Sequence, residues 1–263
     1  MPGTAIELTH DEYRAVWQFL GLGARHWNMD LPGLPELTEQ ERRAQVGSTI
    51  DGLRARGLAD RRGVTPDVED PLRLLAHPAL ELSGSVYEGS ARMRLLAGSR
   101  GESAALAILD EHRLLVLTCR ARELCAAVAI QLPDRPAGPG SSVSVPSELL
   151  ERPASDGKPG LTGQQLENRL VQGGVRPEDA RSFAAMIRGP KPAGGSFSAA
   201  RRDRSGARHT ARVTLVYLAT ERGGYTAQPV RGPDGRAWTT LAPATLAHLA
   251  QRLNHLLNGI RAD

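Results

Sequence analysis

The sequence predicts an α+β fold: a central antiparallel β-sheet built from two β-meander halves related by quasi-two-fold symmetry, flanked by two helical subdomains. Three observations lead there. Two blocks of four β-type runs are each joined by short polar turns. Each block follows helical patterns and precedes one more. The blocks begin 115 residues apart, near Ala79 and Gly194. The whole chain, 1–263, reads as one domain, with halves 5–132 and 161–260 and a Pro/Gly/Ser-rich connecting region at 133–160.

The first helix spans 9–20. Thr9 and Glu12 form a capping box, and Tyr13, Val16, Trp17 and Leu20 share one face. A second box, Thr38 with Glu41, opens a helix carrying Val46, Ile50 and Leu53. Asp70-Pro71 reads as the start of a short helix that Pro78 stops. The period then changes. Strand-like runs cover 80–87, 91–97, 102–109 and 112–118, with turns such as Glu88-Gly89-Ser90 between them. A helix at 121–132 closes the block, with Leu124, Val128 and Leu132 on one side.

Segments 133–142 and 151–160 are rich in Pro, Gly and Ser and read as mobile or surface backbone. Thr162 and Gln165 open a helix that ends at Gly173-Gly174, and Pro177 starts another. Strand-like runs then cover 194–202, 209–220, 224–231 and 235–241, and a final helix spans 243–258.

Composition excludes several classes. Apolar residues make up 40% and charged residues 24%, the balance of a folded soluble domain. No apolar run approaches the roughly 18–20 residues of a membrane span, so no membrane partner is expected. Residues 1–9 lack a basic segment followed by an apolar core, so no secretory signal is expected. The two cysteines, Cys119 and Cys125, are too few for a disulfide scaffold and fit a reducing, cytoplasmic setting. Net charge is only +4, from 33 basic and 29 acidic residues. Of the basic residues only Lys158 and Lys191 are lysine, a usage that reflects base composition more than partners.

Motifs for chemistry are missing. Gly195-Ser196-Phe197-Ser198 fails the nucleophile-elbow pattern. Gly21-Leu22-Gly23 follows a helix and lacks the rest of a phosphate loop. No histidine pair has metal-ligand spacing; His248 and His255 lie two helical turns apart. Catalytic residues, metal and cofactors are therefore all expected to be none, and the chain is not expected to be an enzyme. The sharpest cluster is a basic hairpin holding Arg201, Arg202, Arg204, Arg208, His209 and Arg212. It reads as a solvated tip that protects strand edges, or as a contact surface for an acidic or hydrogen-bonding partner. An alternative function is a basic nucleic-acid-binding module using the 201–212 hairpin. The chain is only 4% aromatic, which argues against base stacking.

Several segments together resemble a known family. They are Ile6-Glu7-Leu8-Thr9 with Tyr13, Trp17 and Leu20-Gly21; Leu95-Leu96-Ala97 with Arg100-Gly101-Glu102-Ser103; Gly194-Gly195-Ser196-Phe197; Tyr217-Leu218-Ala219-Thr220 with Gly224-Tyr225; and Trp238-Thr239-Thr240-Leu241-Ala242-Pro243. Their order and spacing over about 5–260 resemble the EspG family, the secretion-associated chaperones of actinobacterial type VII (ESX) systems. The resemblance implies a cytosolic chaperone that binds the helical tip of a PE–PPE-like substrate, keeps it soluble and directs it to its ESX system. It implies contacts from the loop between the first meander strands, here only Glu88, Gly89 and Ser90. A WXG-type helical hairpin is an alternative cargo for so short a loop. From the second half, Arg201, Arg202, Arg204, Arg208, Arg212 and Gln228 are the expected contact residues.

Overall fold

The computed structural model describes residues 5–31, 38–150, 163–232 and 235–260. Strand β1 (Ala5–Thr9) runs directly into α1 (His10–Phe19), followed by α2 (Glu39–Ala55). A small hairpin, β2 (Ala59–Asp60) and β3 (Gly63–Val64), precedes α3 (Pro66–Ala76). The first meander is β4 (Leu80–Glu88), β5 (Ala91–Arg100), β6 (Ser103–Leu109) and β7 (Arg113–Arg120), closed by α4 (Leu124–Ala129). Then come β8 (Val143–Pro146), α5 (Gly163–Gln172) and α6 (Pro177–Met186). The second meander is β9 (Ala193–Arg202), β10 (Arg208–Thr210), β11 (Leu215–Thr220), β12 (Gly223–Arg231) and β13 (Ala237–Pro243), before α7 (Leu246–Asn258).

All strands except the β2–β3 pair join one sheet in the order β1-β7-β6-β5-β4-β9-β11-β12-β13-β8, with β10 paired to β9. The centre is the antiparallel pair β4–β9, registered from Leu80↔Arg201 to Glu88↔Ala193. Outward from that pair each side repeats one plan: three successive meander strands, then a short edge strand from outside the meander, β1 on one side and β8 of the connecting region on the other.

Alternation along the strands divides the core by face. Leu82, Val86, Phe197, Ala199 and Leu215 pack with Val128, Leu249 and Leu253, so α4 and α7 cover one face. On the opposite face α1–α3 cover the first half through Leu72, Leu96, Leu109 and Val116. There α5 and α6 cover the second half through Leu170, Phe183, Val145 and Tyr225. Burying such a side chain contributes about 1.5–3 kcal/mol.

The Thr9 capping box is present. Thr9 Oγ1 accepts from the Glu12 amide at 3.2 Å, and the Thr9 amide donates to Glu12 Oε2 at 2.8 Å. Thr9→Ala is expected to lose about 1 kcal/mol, read by urea unfolding. The Thr38–Glu41 and Thr162–Gln165 boxes, segment 151–160 and the 233–234 turn fall wholly or partly outside the described residues.

Several boundaries differ from the sequence reading. No strand was expected before Thr9, yet Ala5–Thr9 pairs with β7 and buries Ile6 and Leu8. Helix α3 starts at Pro66, and Pro71 lies inside it. Proline at the first position needs no amide partner, which Thr65-Pro66 satisfies one turn earlier. The 121–132 helix is a 3-10 turn at Ala121–Glu123 followed by the short α4, because Pro133 bars any extension. The last helix begins at Leu246, capped by Thr245, because Pro243 still belongs to β13.

Segment 133–142, expected as mobile or surface backbone, lies mostly at the surface but is pinned to the sheet. Ala137 forms a parallel bridge to Gly224. Gly138 N donates to Gly224 O at 3.0 Å, and Gly224 N donates to Pro136 O at 2.8 Å. Tyr225 lies against Gly138 and donates its hydroxyl to Pro139 O at 3.1 Å. Only a residue without a side chain permits that approach.

Candidate functional site

The 209–220 run divides into β10 and β11, and the division builds a groove. Thr210 pairs with Ala200, but Leu215, five positions on, pairs with Phe197, only three positions back. Two extra residues must therefore bulge out of the ladder. Ala211, Arg212 and Val213 lie on this bulge and, with His209 and Thr210, form one wall of a groove of about 590 Å³. Gln228 of β12 contributes from the sheet, and His255, Leu256, Gly259 and Ile260 from the end of α7. A smaller hollow of about 200 Å³ continues along α7 past Thr226, His248, Gln251 and Arg252, sharing His255. The groove thus pairs apolar surface from Val213, Leu256 and Ile260 with a cationic, hydrogen-bonding rim. His248 also closes the α7 cap: its amide donates to Thr245 Oγ1 at 3.3 Å, and its Nδ1 accepts the Thr245 amide at 3.2 Å.

The hairpin tip is rigidly built. One Asp203 carboxylate oxygen accepts from the Ser205 hydroxyl (2.6 Å), the Ser205 amide (2.9 Å) and the Ala207 amide (3.0 Å). The other lies 2.8 Å from His209 Nε2. The bonds from Ser205 and then His209 hold this carboxyl well below the usual range.

Beneath the hairpin lies a buried ionic cluster. Glu81 of β4 is 4% exposed. Arg208 Nη2 donates to Glu81 Oε1 at 2.6 Å, and Arg208 Nε lies 3.5 Å from Oε2. His26 Nε2 approaches Oε1 from the other side at 3.1 Å. Burial alone would push the Glu81 carboxyl up. The bonds and charges of His26 and Arg208 outweigh it and bring it down to about 2.

The structure separates the sequence-derived residues into groups. Arg212 and Gln228 line the groove. Arg201 and Arg204 are exposed on the hairpin, and Arg202 Nη1 donates to Gly206 O at 3.3 Å, within the turn. Arg208 turns to Glu81. Glu88, Gly89 and Ser90 sit at the far end of β4, about 27 Å of extended strand from the Leu80–Arg201 end. There Gly89 N donates to Pro192 O at 2.8 Å. Sequence reasoning missed Glu81, His26, Leu256 and Ile260. A glutamate between Leu80 and Leu82 reads as the outward side of an alternating strand, and its partners are remote in sequence.

Among the described residues no group of three His, Cys, Asp or Glu could hold a metal ion. Cys119 and Cys125 are free thiols, and burial pushes the Cys125 thiol up to about 11. No described helix is long and apolar enough to cross a membrane.

A sequence model of the EspG family matches residues 9–255. The chain belongs to the EspG family. The same fold is found in the type VII secretion system chaperone EspG5 of Mycobacterium tuberculosis, solved in complex with a PE25-PPE41 dimer. The TM-score is 0.74 at 18% identity, over 98% of this EspG chain and 97% of that one. A search of curated proteins finds no match.

Proposed function

We propose that this EspG-family chain is a cytosolic type VII secretion chaperone, without catalytic activity, that binds a PE–PPE-like helical substrate. The observation that carries the reading is the whole-chain coincidence with EspG5, a chaperone solved on its PE25-PPE41 dimer. The 209–213 groove is the docking site on this reading. An apolar residue at the tip of a helical hairpin seats on Val213, Leu256 and Ile260, and polar groups around it meet Arg212 and Gln228. Covering that tip removes an aggregation liability from the unassembled cargo.

A pull-down of the tagged chain from its native cytosol, read by mass spectrometry, tests this. A stoichiometric PE–PPE-like or WXG-type helical protein is expected. Nuclease-sensitive nucleic acid without a protein partner would reject the reading.

The exposed arginines act at the rim. Arg204→Ala and Arg212→Ala are expected to slow association several-fold at low salt, with the difference shrinking as salt rises. Stopped-flow measurements at two salt concentrations check this; a salt-independent loss from Arg204→Ala alone would contradict it.

A further inference from the structure

We propose that Glu81 is a positioning residue for the groove: through Arg208 it holds in place the bulged hairpin that forms the groove wall. That the wall receives cargo rests on the reading above; that Glu81 holds the wall does not.

The wall needs such a hold. Strand β10 has three residues, lies off the main strand order and pairs only with β9. A ladder this short is marginal alone, and the bulge that follows interrupts it. The chain meets the sheet next through Ala211 N to Ala199 O at 2.8 Å.

The geometry places the hold beneath the wall. Successive strand residues point to opposite faces. His209 lines the groove, while Arg208 reaches Glu81 through two nitrogens at 2.6 and 3.5 Å. Glu81 pairs in register with Ala200, whose other neighbour is Thr210. The single methyl of Ala200 leaves room for the guanidinium to cross the intervening strand. The carboxylate is itself fixed from the far side. His26 Nδ1 accepts the Asn28 amide at 3.2 Å, and its Nε2 lies 3.1 Å from Glu81 Oε1 with no other partner.

A buried carboxylate is retained only where it is paired, and a paired one dictates where its partner sits. The cluster thereby ties three parts of the chain: the segment after α1, the central strand and the wall.

Hydrogen–deuterium exchange on the full-length free chain tests the proposal. Glu81→Gln keeps size and hydrogen-bonding capacity but removes the charge. Exchange over 208–213 is expected to accelerate at least about tenfold, while the β4–β5 ladder is unchanged. Arg208→Lys, altered on the hairpin side, should do the same to a smaller degree and serves if Glu81→Gln does not fold. Arg212→Ala should leave 208–210 unchanged. Acceleration spread evenly over β4, β5 and β9, or none at 208–213, would overturn the proposal. Affinity for the PE–PPE-like pair recovered with the wild-type chain should fall about tenfold in Glu81→Gln. Local acceleration with unchanged affinity would uphold the hold by Glu81 and remove the cargo from this groove.

Discussion

Gly224→Ala is expected to destabilise the protein by about 3 kcal/mol or more, a loss of roughly 10 °C in Tm. A β-carbon there would lie 2.4 Å from the Ala244 carbonyl oxygen and 2.3 Å from the Tyr217 hydroxyl. The first is backbone, and Tyr217 is fully buried, so neither can yield cheaply. Gly224 is also a junction of three segments. Its amide donates to Pro136, and its carbonyl accepts from Gly138 at 3.0 Å and from Ala244 at 2.9 Å. Displacing it loosens the pinned connection and the entry to α7 together. Urea unfolding of Gly224→Ala beside Gly206→Ala, at an open turn where an added β-carbon would have nothing within 4 Å, measures the difference. Gly206 has φ +87°, so its substitution carries backbone strain alone, about 1 kcal/mol. Equal losses in the two variants would contradict the packing account.

Acid sensitivity traceable to Glu81 is the second large effect. Its folded carboxyl titrates near 2, against an ordinary value of 4.5. A depressed carboxyl stabilises the fold above the ordinary value, and that contribution is lost as pH falls through the folded one. The contribution at neutral pH is about 3 kcal/mol. Urea unfolding at pH 7, 4.5, 3 and 2 should therefore show the stability difference between wild type and Glu81→Gln shrinking by about that amount, mostly below pH 4.5. Comparison with the variant isolates Glu81 from Asp110 and Asp203, whose carboxyls are also depressed. A pH-independent difference would show that the Glu81–Arg208 ion pair does not form in solution.

What sequence could reveal followed range. The β4–β7 meander was legible because short turns fix its pairing locally, as Gly101 does between β5 and β6. The helix at Thr9 was legible because a capping box lies within four residues. Strand β1 was not: five residues carry little periodicity, and their partner β7 lies a hundred positions away. The break between β10 and β11 was hidden because both sides keep β-type residues, and only pairing with β9 exposes the two extra positions. The basic hairpin was visible as charge. Its separation into Arg208, turned to a buried carboxylate, and Arg212, turned to the groove, needs the tertiary partner. His255 illustrates the same limit: its spacing from His248 spoke only against a metal site, and the fold shows that it borders both hollows along α7.

The most direct test of the docking account is a titration of the purified chain with its PE–PPE-like pair, comparing Gln228→Arg with Glu88→Arg. Gln228 lies on β12 in the groove, and Glu88 ends β4 at the short loop, on a strand separated from β12 by β9 and β11. Gln228→Arg is expected to weaken binding at least about a hundredfold, by placing an unpaired cation in the groove, with Tm unchanged. Glu88→Arg is expected to change it only a few-fold. Undiminished binding by Gln228→Arg, with loss in Glu88→Arg, would move the docking site to the far end of the sheet.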